Sequence, residues 1–200
     1  MYRKHHTRGI IISSQIEGND SRRINIFTES FGLLSTRVQG ARNIHSKLRG
    51  GSQDFSFGEF SLVHGKSGWR VVSVRAEINY FEAFRDSPPK LKIAGNILSL
   101  IKKLVAEEAR PTESFGQVKT PLFSVVSIFF DFLVSAKEQD IALAECLTLV
   151  RILHILGYMK HDPELLIPMS YSEINIKDLE MITPKRSKMI ELINESLKAT

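Results

Sequence analysis

The sequence has too little cysteine for a fold held together by disulfide bonds. Its 200 residues include one cysteine, Cys146, so an internal disulfide and a cysteine-rich zinc site are both excluded. Proline and glycine are sparse, at 7 and 12 residues, and there is no internal repeat or low-complexity stretch. Collagen-like, disulfide-framed and disordered proteins are therefore excluded as descriptions of the whole chain.

Long apolar runs are missing as well. The basic N-terminus, residues 1–8, precedes the apolar run 10–12, which is too short for a signal peptide or a membrane span. The apolar segment 122–134 contains Asp131 and is shorter than the roughly 20 residues that a membrane span needs, so it predicts a buried core helix. We therefore expect a cytoplasmic protein without membrane contact.

The common catalytic and metal-binding motifs are absent. There is no Walker-type glycine loop, no G-x-S-x-G elbow, no H-E-x-x-H and no acidic cluster typical of magnesium sites. His5 and His6 lie at a chain end, and His154 and His161 flank a predicted helix end, with Cys146 eight residues before His154. We expect no enzymatic activity, no cofactor and no metal, although residues distant in sequence can converge in a fold.

Alternating apolar and polar residues predict about five strands in the first 80 residues. Val72, Val74, Ala76 and Ile78 alternate with polar residues, which predicts that these four face a core. Further strand patterns occur at 8–14, 23–27, 34–39 and 59–64, and the piece 44–58 has room for at most a short helix. Five short strands favour an OB-fold-like barrel, because closure removes exposed edges, and an SH3-like barrel is the alternative.

The period changes to that of a helix after Pro88. Apolar spacing predicts helices at 91–105, at 121–134 after the Thr120-Pro121 cap, at 139–156 before Gly157, and from Thr183-Pro184 to residue 197. Residues 164–171 read as a packed loop. The predicted fold class is α+β, with an OB-fold nucleic-acid-binding domain at 1–86 and an all-α helical domain at 87–200.

The net positive charge of the chain comes entirely from the predicted barrel. Residues 1–86 carry 13 Lys and Arg against 8 Asp and Glu, whereas residues 87–200 carry 14 of each. Ten of the 13 cations are arginine, whose guanidinium group suits phosphate. A solvated basic surface is the alternative interpretation. The candidate nucleic-acid-binding residues are Arg22, Arg23, Arg37, Arg42, Lys47, Arg49, Arg70 and Arg75.

Aromatic residues are interleaved with these cations and suggest stacking platforms for unpaired bases. They are Phe55, Phe57, Phe60, Trp69 and Tyr80. Ordinary core packing is the alternative for each of them. We expect it for Phe60 and Tyr80, and leave both interpretations open for Phe57 and Trp69.

Several segments together resemble the N-terminal domain of the RecO recombination mediator proteins. They are GIII at 9–12, GNDSRRINIFT at 18–28, FGLLS at 31–35, GAR at 40–42 and SKLR at 46–49. The resemblance covers residues 8 to 84 and continues more weakly to LGY at 156–158. Many family members carry a four-cysteine zinc module after that position, which a cysteine-free link at 161–171 replaces here. Zinc is therefore not expected.

The resemblance implies an accessory protein of recombinational repair. Such proteins bind single- and double-stranded DNA, anneal strands, contact the C-terminal tail of single-stranded DNA-binding protein, and help load RecA together with RecR. For the tail peptide we predict a helical-domain groove rimmed by Arg151 and Lys160, with a core-edge ion pair as the alternative for Arg151. An RNA-binding OB module in translation or ribosome assembly, and a protein adaptor, are the competing functions.

Overall fold

The structure is a computed structural model that describes residues 3–41, 43, 46, 48–106, 121–159, 165 and 173–198. The chain divides into two compact units. The barrel unit comprises Met1–Ser87 and Leu98–Thr120, and the helical unit comprises Pro88–Ile97 and Pro121–Thr200. The division into domains at residue 86 stays a prediction, because one helix contributes residues to both units.

Five strands form a closed barrel in the order β1-β2-β3-β5-β4. They are β1 Lys4–Glu17, β2 Ser21–Thr28, β3 Gly32–Val38, β4 Ser56–Gly65 and β5 Gly68–Asn79, with the short helix α1 Leu48–Gly51 between β3 and β4. Neighbouring strands are antiparallel except β3 and β5, which are parallel. The OB-fold prediction is confirmed, as is the short helix within 44–58.

The barrel core consists of side chains from the inward faces of all five strands. Ile11, Ile24, Ile26, Leu34 and Leu62 are at most 1% exposed. Gly18 (φ +66°) lies in the turn after β1 and Gly68 (φ +89°) lies at the start of β5, both in a left-handed conformation that glycine adopts without steric cost. Because side chains alternate between the two faces of a strand, the polar residues between these core residues lie on the outer surface.

The predicted inward face of β5 is wrong at Val72 and at Ala76, which are both exposed. Trp69 and Val71 are buried, whereas Val72 is 42% exposed. Ser61 on β4 pairs with Ser73, but Leu62 pairs with Val71, so Val72 is an extra residue in a β-bulge. Near Ala76 the register shifts as well, since Phe57 pairs with Ile78 but Gly58 pairs with Ala76. A one-residue shift reverses the alternation, which a simple period of two does not anticipate.

The helices follow the barrel. They are α2 Tyr80–Phe84, α3 Pro88–Leu104, α4 Pro121–Ser135, α5 Glu138–Ile155, α6 Ile176–Ile182 and α7 Arg186–Lys198, with a 3₁₀ turn at Thr183–Lys185 before α7. The four predicted helices correspond to α3, α4, α5 and α7, and Gly157 (φ +77°) follows the end of α5 as predicted. α2 and α6 were not anticipated. Thr120 and most of the predicted loop 164–171 lie outside the described residues, although Leu165 is buried.

The apolar helix α4 belongs to the core of the helical unit. Phe129, Phe130 and Leu133 are fully buried, as the sequence predicts for this segment. In the part of the chain that the structure describes, no helix is long and apolar enough to cross a membrane.

Candidate nucleic-acid interface

Three arginines lie side by side across three neighbouring strands. Arg23 on β2 is paired in register with Arg37 on β3, and Arg37 is paired with Arg70 on β5. Residues in register on adjacent strands have side chains about 5 Å apart. Arg37 and Arg70 are exposed and Arg23 is partly exposed. We call Arg23, Arg37 and Arg70 the arginine row.

Two short turns flank the arginine row. The β1–β2 turn precedes β2, and the β4–β5 turn, which contains the exposed Lys66, precedes Arg70. Arg37, Gln39, Lys66 and Arg70 line a groove of about 410 Å³ beside this turn. In OB-folds, the β2–β3 face and these two turns are the usual site for oligonucleotides, so the row occupies that position.

Only one carboxylate balances the row among the described residues. Glu17 Oε1 lies 2.6 Å from Arg23 Nη2, and Glu17 Oε2 lies 3.6 Å from Arg37 Nε. Arg37 also donates a hydrogen bond to Ser21 Oγ. Arg70 and Lys66 form no ion pair with any residue that the structure describes. The row and its turn therefore carry an excess of positive charge.

Arg22 does not belong to the row, because consecutive residues of a strand point to opposite faces. Its side chain donates a hydrogen bond to Ser14 Oγ and lines a separate groove with Ile16 and Arg49. Arg42 and Lys47 lie outside the described residues. Of the eight candidate cations, the structure thus brings three together and places two at a second groove.

Arg75 lies on another face, where each arginine has its own acidic partner. Arg75 Nη2 is 3.0 Å from Glu59 Oε2, and Arg8 Nη2 is 2.7 Å from Glu77 Oε2. Glu59 is in register with both Arg8 and Arg75. We call these four residues the paired face. Along β5, Arg75 is roughly 15 Å from Arg70.

The predicted stacking platforms are buried. Phe60 and Tyr80 are core residues, as expected, and Phe57 and Trp69, for which both interpretations were open, are each only 4% exposed. These four rings offer no face to a base. Phe55 is partly exposed.

Phe81, which the sequence analysis missed, is 50% exposed. The signal for it was the spacing of Tyr80 and Phe84, which are both buried on one side of α2 and leave Phe81 on the other.

Trp69 is enclosed by other rings at one end of the barrel. His5, His64 and Phe31 contact it with ring centroids 5.5, 5.1 and 5.4 Å away. Burial lowers the pKa of His5 below its ordinary value, and Arg3 and the neighbouring imidazoles of His64 and His6 lower it further.

The helical unit presents neither predicted partner-binding cation on its described surface. Arg151 is 2% exposed, so its guanidinium group lies inside the unit and does not rim a groove. Lys160 lies outside the described residues. Burial raises the pKa of the Cys146 thiol, which suits the core position that the sequence predicts. Within the described ranges, no group of three or more His, Cys, Asp or Glu residues is placed to hold a metal ion.

Comparison with known proteins supports the resemblance seen in the sequence. Residues 1–76 match the family described as "Recombination protein O N terminal". The chain is 32% identical to "DNA repair protein RecO" of Synechocystis over 80 residues, which cover 40% of this chain and 30% of that protein. It is 27% identical to that of Alkaliphilus metalliredigens over 120 residues (60% and 45%), and 25% identical to that of Desulfitobacterium hafniense over 154 residues (77% and 52%). The chain spans about half the length of these last two relatives. Over residues 1–76, the chain is therefore similar to the N-terminal domain of the RecO proteins.

Proposed function

We propose that the barrel binds single-stranded DNA through the arginine row, and that the chain serves DNA repair and recombination as a non-catalytic accessory protein. The observation that carries the proposal is the register of Arg23, Arg37 and Arg70 on three neighbouring strands. A line of guanidinium groups across a sheet can contact successive phosphates of one strand, and each contact releases condensed counterions. The names of the relatives, "DNA repair protein RecO", supply the biological setting.

The arginine row suits phosphate better than the paired face does. A phosphate that binds at Arg75 must compete with Glu59, whose Oε2 is 3.0 Å from Arg75 Nη2. At the row, one carboxylate is shared between Arg23 and Arg37, and Arg70 has no acidic partner among the described residues. We therefore assign phosphate binding to the row and to Lys66, and treat Arg22 and Arg49 as a second basic groove.

Base recognition contributes little in this proposal. Phe57, Phe60, Trp69 and Tyr80 are buried, so stacking on the barrel is not available to them. Binding that depends on phosphate contacts is independent of sequence and strongly dependent on salt. Both properties are expected of a protein that handles single strands of any sequence.

The test is the salt dependence of binding to a labelled single-stranded DNA oligomer, measured by fluorescence anisotropy. The variant Arg37→Ala with Arg70→Ala removes two proposed phosphate contacts. Since each contact contributes about 0.7 to the log-log slope for a single strand, the slope should fall by about 1.4. The affinity should fall as well.

The matched control is Arg75→Ala with Arg85→Ala, which removes the same charge from exposed, ion-paired positions. Its slope should stay within about 0.3 of the wild-type value, because these contacts release few counterions. Equal slopes for the two double variants would show that the binding follows net charge and would reject the row as the site.

From the family relation we further propose strand annealing and, with RecR, loading of RecA onto DNA coated by single-stranded DNA-binding protein. We also extend the proposal to double-stranded DNA and to the tail of that coating protein, without a role for the buried Arg151. An annealing assay with complementary oligomers tests the first part. The variant Arg37→Ala with Arg70→Ala should anneal more slowly than the control, because annealing requires the bound strands.

Two binding experiments test the alternative functions. Preference for a structured RNA over the single-stranded DNA oligomer would favour an RNA-binding OB module. Absence of nucleic-acid binding at low salt would favour a protein adaptor whose cations are merely solvated.

A further inference from the structure

Phe81 in α2 is a large apolar side chain on the surface of the barrel unit. It is 50% exposed, whereas Tyr80 and Phe84 of the same helix are fully buried. The ring of Phe81 meets that of Phe55 in an edge-to-face arrangement, with centroids 6.4 Å apart. We call these two rings the Phe55–Phe81 pair.

The backbone around the pair is held by hydrogen bonds on several sides. Asn79 Oδ1 accepts hydrogen bonds from the N–H groups of Phe81 (2.9 Å) and Glu82 (3.2 Å), and Asn79 Nδ2 donates to the carbonyl of Asp54. The Phe55 N–H donates to the Ile11 carbonyl, and the Phe55 carbonyl accepts from the Tyr80 N–H. A preformed surface of this kind loses little conformational entropy when a partner binds.

Phe55 itself adopts a left-handed backbone conformation, with φ +65°. This region is uncommon for a bulky residue and persists only where the surroundings determine it. Its effect is to direct the chain from the α1 segment into β4 at the point where the pair forms.

Acidic side chains border the pair. Asp54 precedes Phe55, Glu82 follows Phe81, and Asp86 has a side chain that is 94% exposed. Arg85 lies 3.3 Å from Glu82 and 3.7 Å from Asp86, but exposed ion pairs of this kind are weak and exchange readily. The surroundings of the pair are thus acidic on a domain whose net charge is positive, which disfavours a phosphate backbone at this place.

We propose that the Phe55–Phe81 pair is a docking site for a segment of a partner protein that carries one apolar side chain between lysines or arginines. The apolar side chain would pack on the two rings, as aromatic anchors do at the centre of interfaces. The flanking cations would meet Asp54 and Glu82, and this charge complementarity selects a basic segment over an acidic one. The site is independent of the arginine row and of DNA binding.

The test uses two fluorescein-labelled synthetic peptides and the full chain. One peptide has a single leucine flanked by two lysines on each side, and the other has serine in place of that leucine. The leucine peptide should bind about tenfold more tightly, the scale expected for one buried anchor. Phe81→Ser should abolish this difference, and Asp54→Asn with Glu82→Gln should weaken the binding of both peptides.

Val72→Ser is the matched control, because Val72 is an exposed apolar residue on β5 with no place in the proposed site. It should leave both peptide affinities unchanged. A leucine preference that survives Phe81→Ser would overturn the proposal. So would a loss of single-stranded DNA affinity in Phe81→Ser equal to that of the Arg37→Ala, Arg70→Ala variant, since the pair would then be a platform for bases.

Discussion

The arginine row and the paired face lie on the same barrel, and both carry exposed arginines. Their charges are balanced differently. In the row, Glu17 serves two arginines and Arg70 has no acidic partner among the described residues, whereas on the paired face Arg8 and Arg75 each have their own carboxylate. The number of cations on a surface therefore does not tell which surface binds phosphate. What matters is how much of that charge is left after local pairing.

The largest expected effect is at Gly58 on β4, which precedes Glu59 of the paired face and is buried where β4 lies against β5. A Cβ at Gly58 would overlap the backbone oxygen of Arg75 and lie 2.9 Å from Ala76 Cα. Gly58→Ala should destabilise the protein by about 3 kcal/mol, because two strands must separate. Urea unfolding measures the change. Gly50→Ala, where a Cβ meets nothing within 4 Å, should change the free energy of unfolding by less than about 0.5 kcal/mol.

Charge reversal should separate the two faces in binding. Arg37→Glu removes a proposed phosphate contact and places a second carboxylate beside Glu17, so its affinity for single-stranded DNA should fall about 30-fold, or about 2 kcal/mol. Arg75→Glu makes the same change of charge on the paired face and should cost no more than about threefold. Anisotropy titrations at one salt concentration compare them. Similar losses would remove the distinction between the two faces.

Removing the shared acid should strengthen binding at the row. Glu17→Gln removes the only carboxylate paired with Arg23 and Arg37 among the described residues, and the affinity for single-stranded DNA should rise about threefold, a scale typical of exposed charge pairs. Glu59→Gln, the equivalent change on the paired face, should raise the affinity less. An equal gain in both variants would mean that the DNA responds to total charge alone.

The smallest expected effect is the pH dependence of stability that comes from His5, which contacts Trp69 beside Arg70. Because the pKa of His5 is lowered in the folded state, the unfolded chain binds a proton at this residue at a higher pH than the folded chain does. The contribution of the neutral His5 side chain to the free energy of unfolding is therefore fully present above about pH 6.5. It is lost as the pH falls through the folded-state pKa. Urea unfolding between about pH 7.5 and pH 5.5 should show a shallower decline for His5→Gln than for the wild type. If both proteins lose the same stability at low pH, the loss comes from titratable residues other than His5.

Much of the fold was predictable because most of the strands bury one face. Ile24 and Ile26 alternate with polar residues, and this pattern located β2. The same kind of alternation located the other strands. The bulge at Val72 was not predictable, because valine fits a paired and an unpaired position equally well. Strand order was not predictable either, since it depends on the pairing of residues as distant as Thr36 and Trp69.

The candidate site was predictable in composition but not in arrangement. The charge distribution pointed to Arg23, Arg37 and Arg70, but it also pointed to Arg22 and Arg75, which lie elsewhere. Register between strands decides which cations become neighbours, and local acids decide which of them stay available. Neither is visible in a list of charged residues.

The parallel contact between β3 and β5 gives the barrel an uneven resistance to opening. Among the described residues these strands are in register at two pairs, Thr36 with Trp69 and Arg37 with Arg70, whereas β4 and β5 are paired along nearly their whole length. The barrel should therefore open first at this seam, and its backbone amides should exchange with solvent earlier than those of β4. A phosphate bound by both Arg37 and Arg70 would link β3 to β5 across the seam. Bound DNA would then slow the local separation of these two strands and the exchange of their backbone amides.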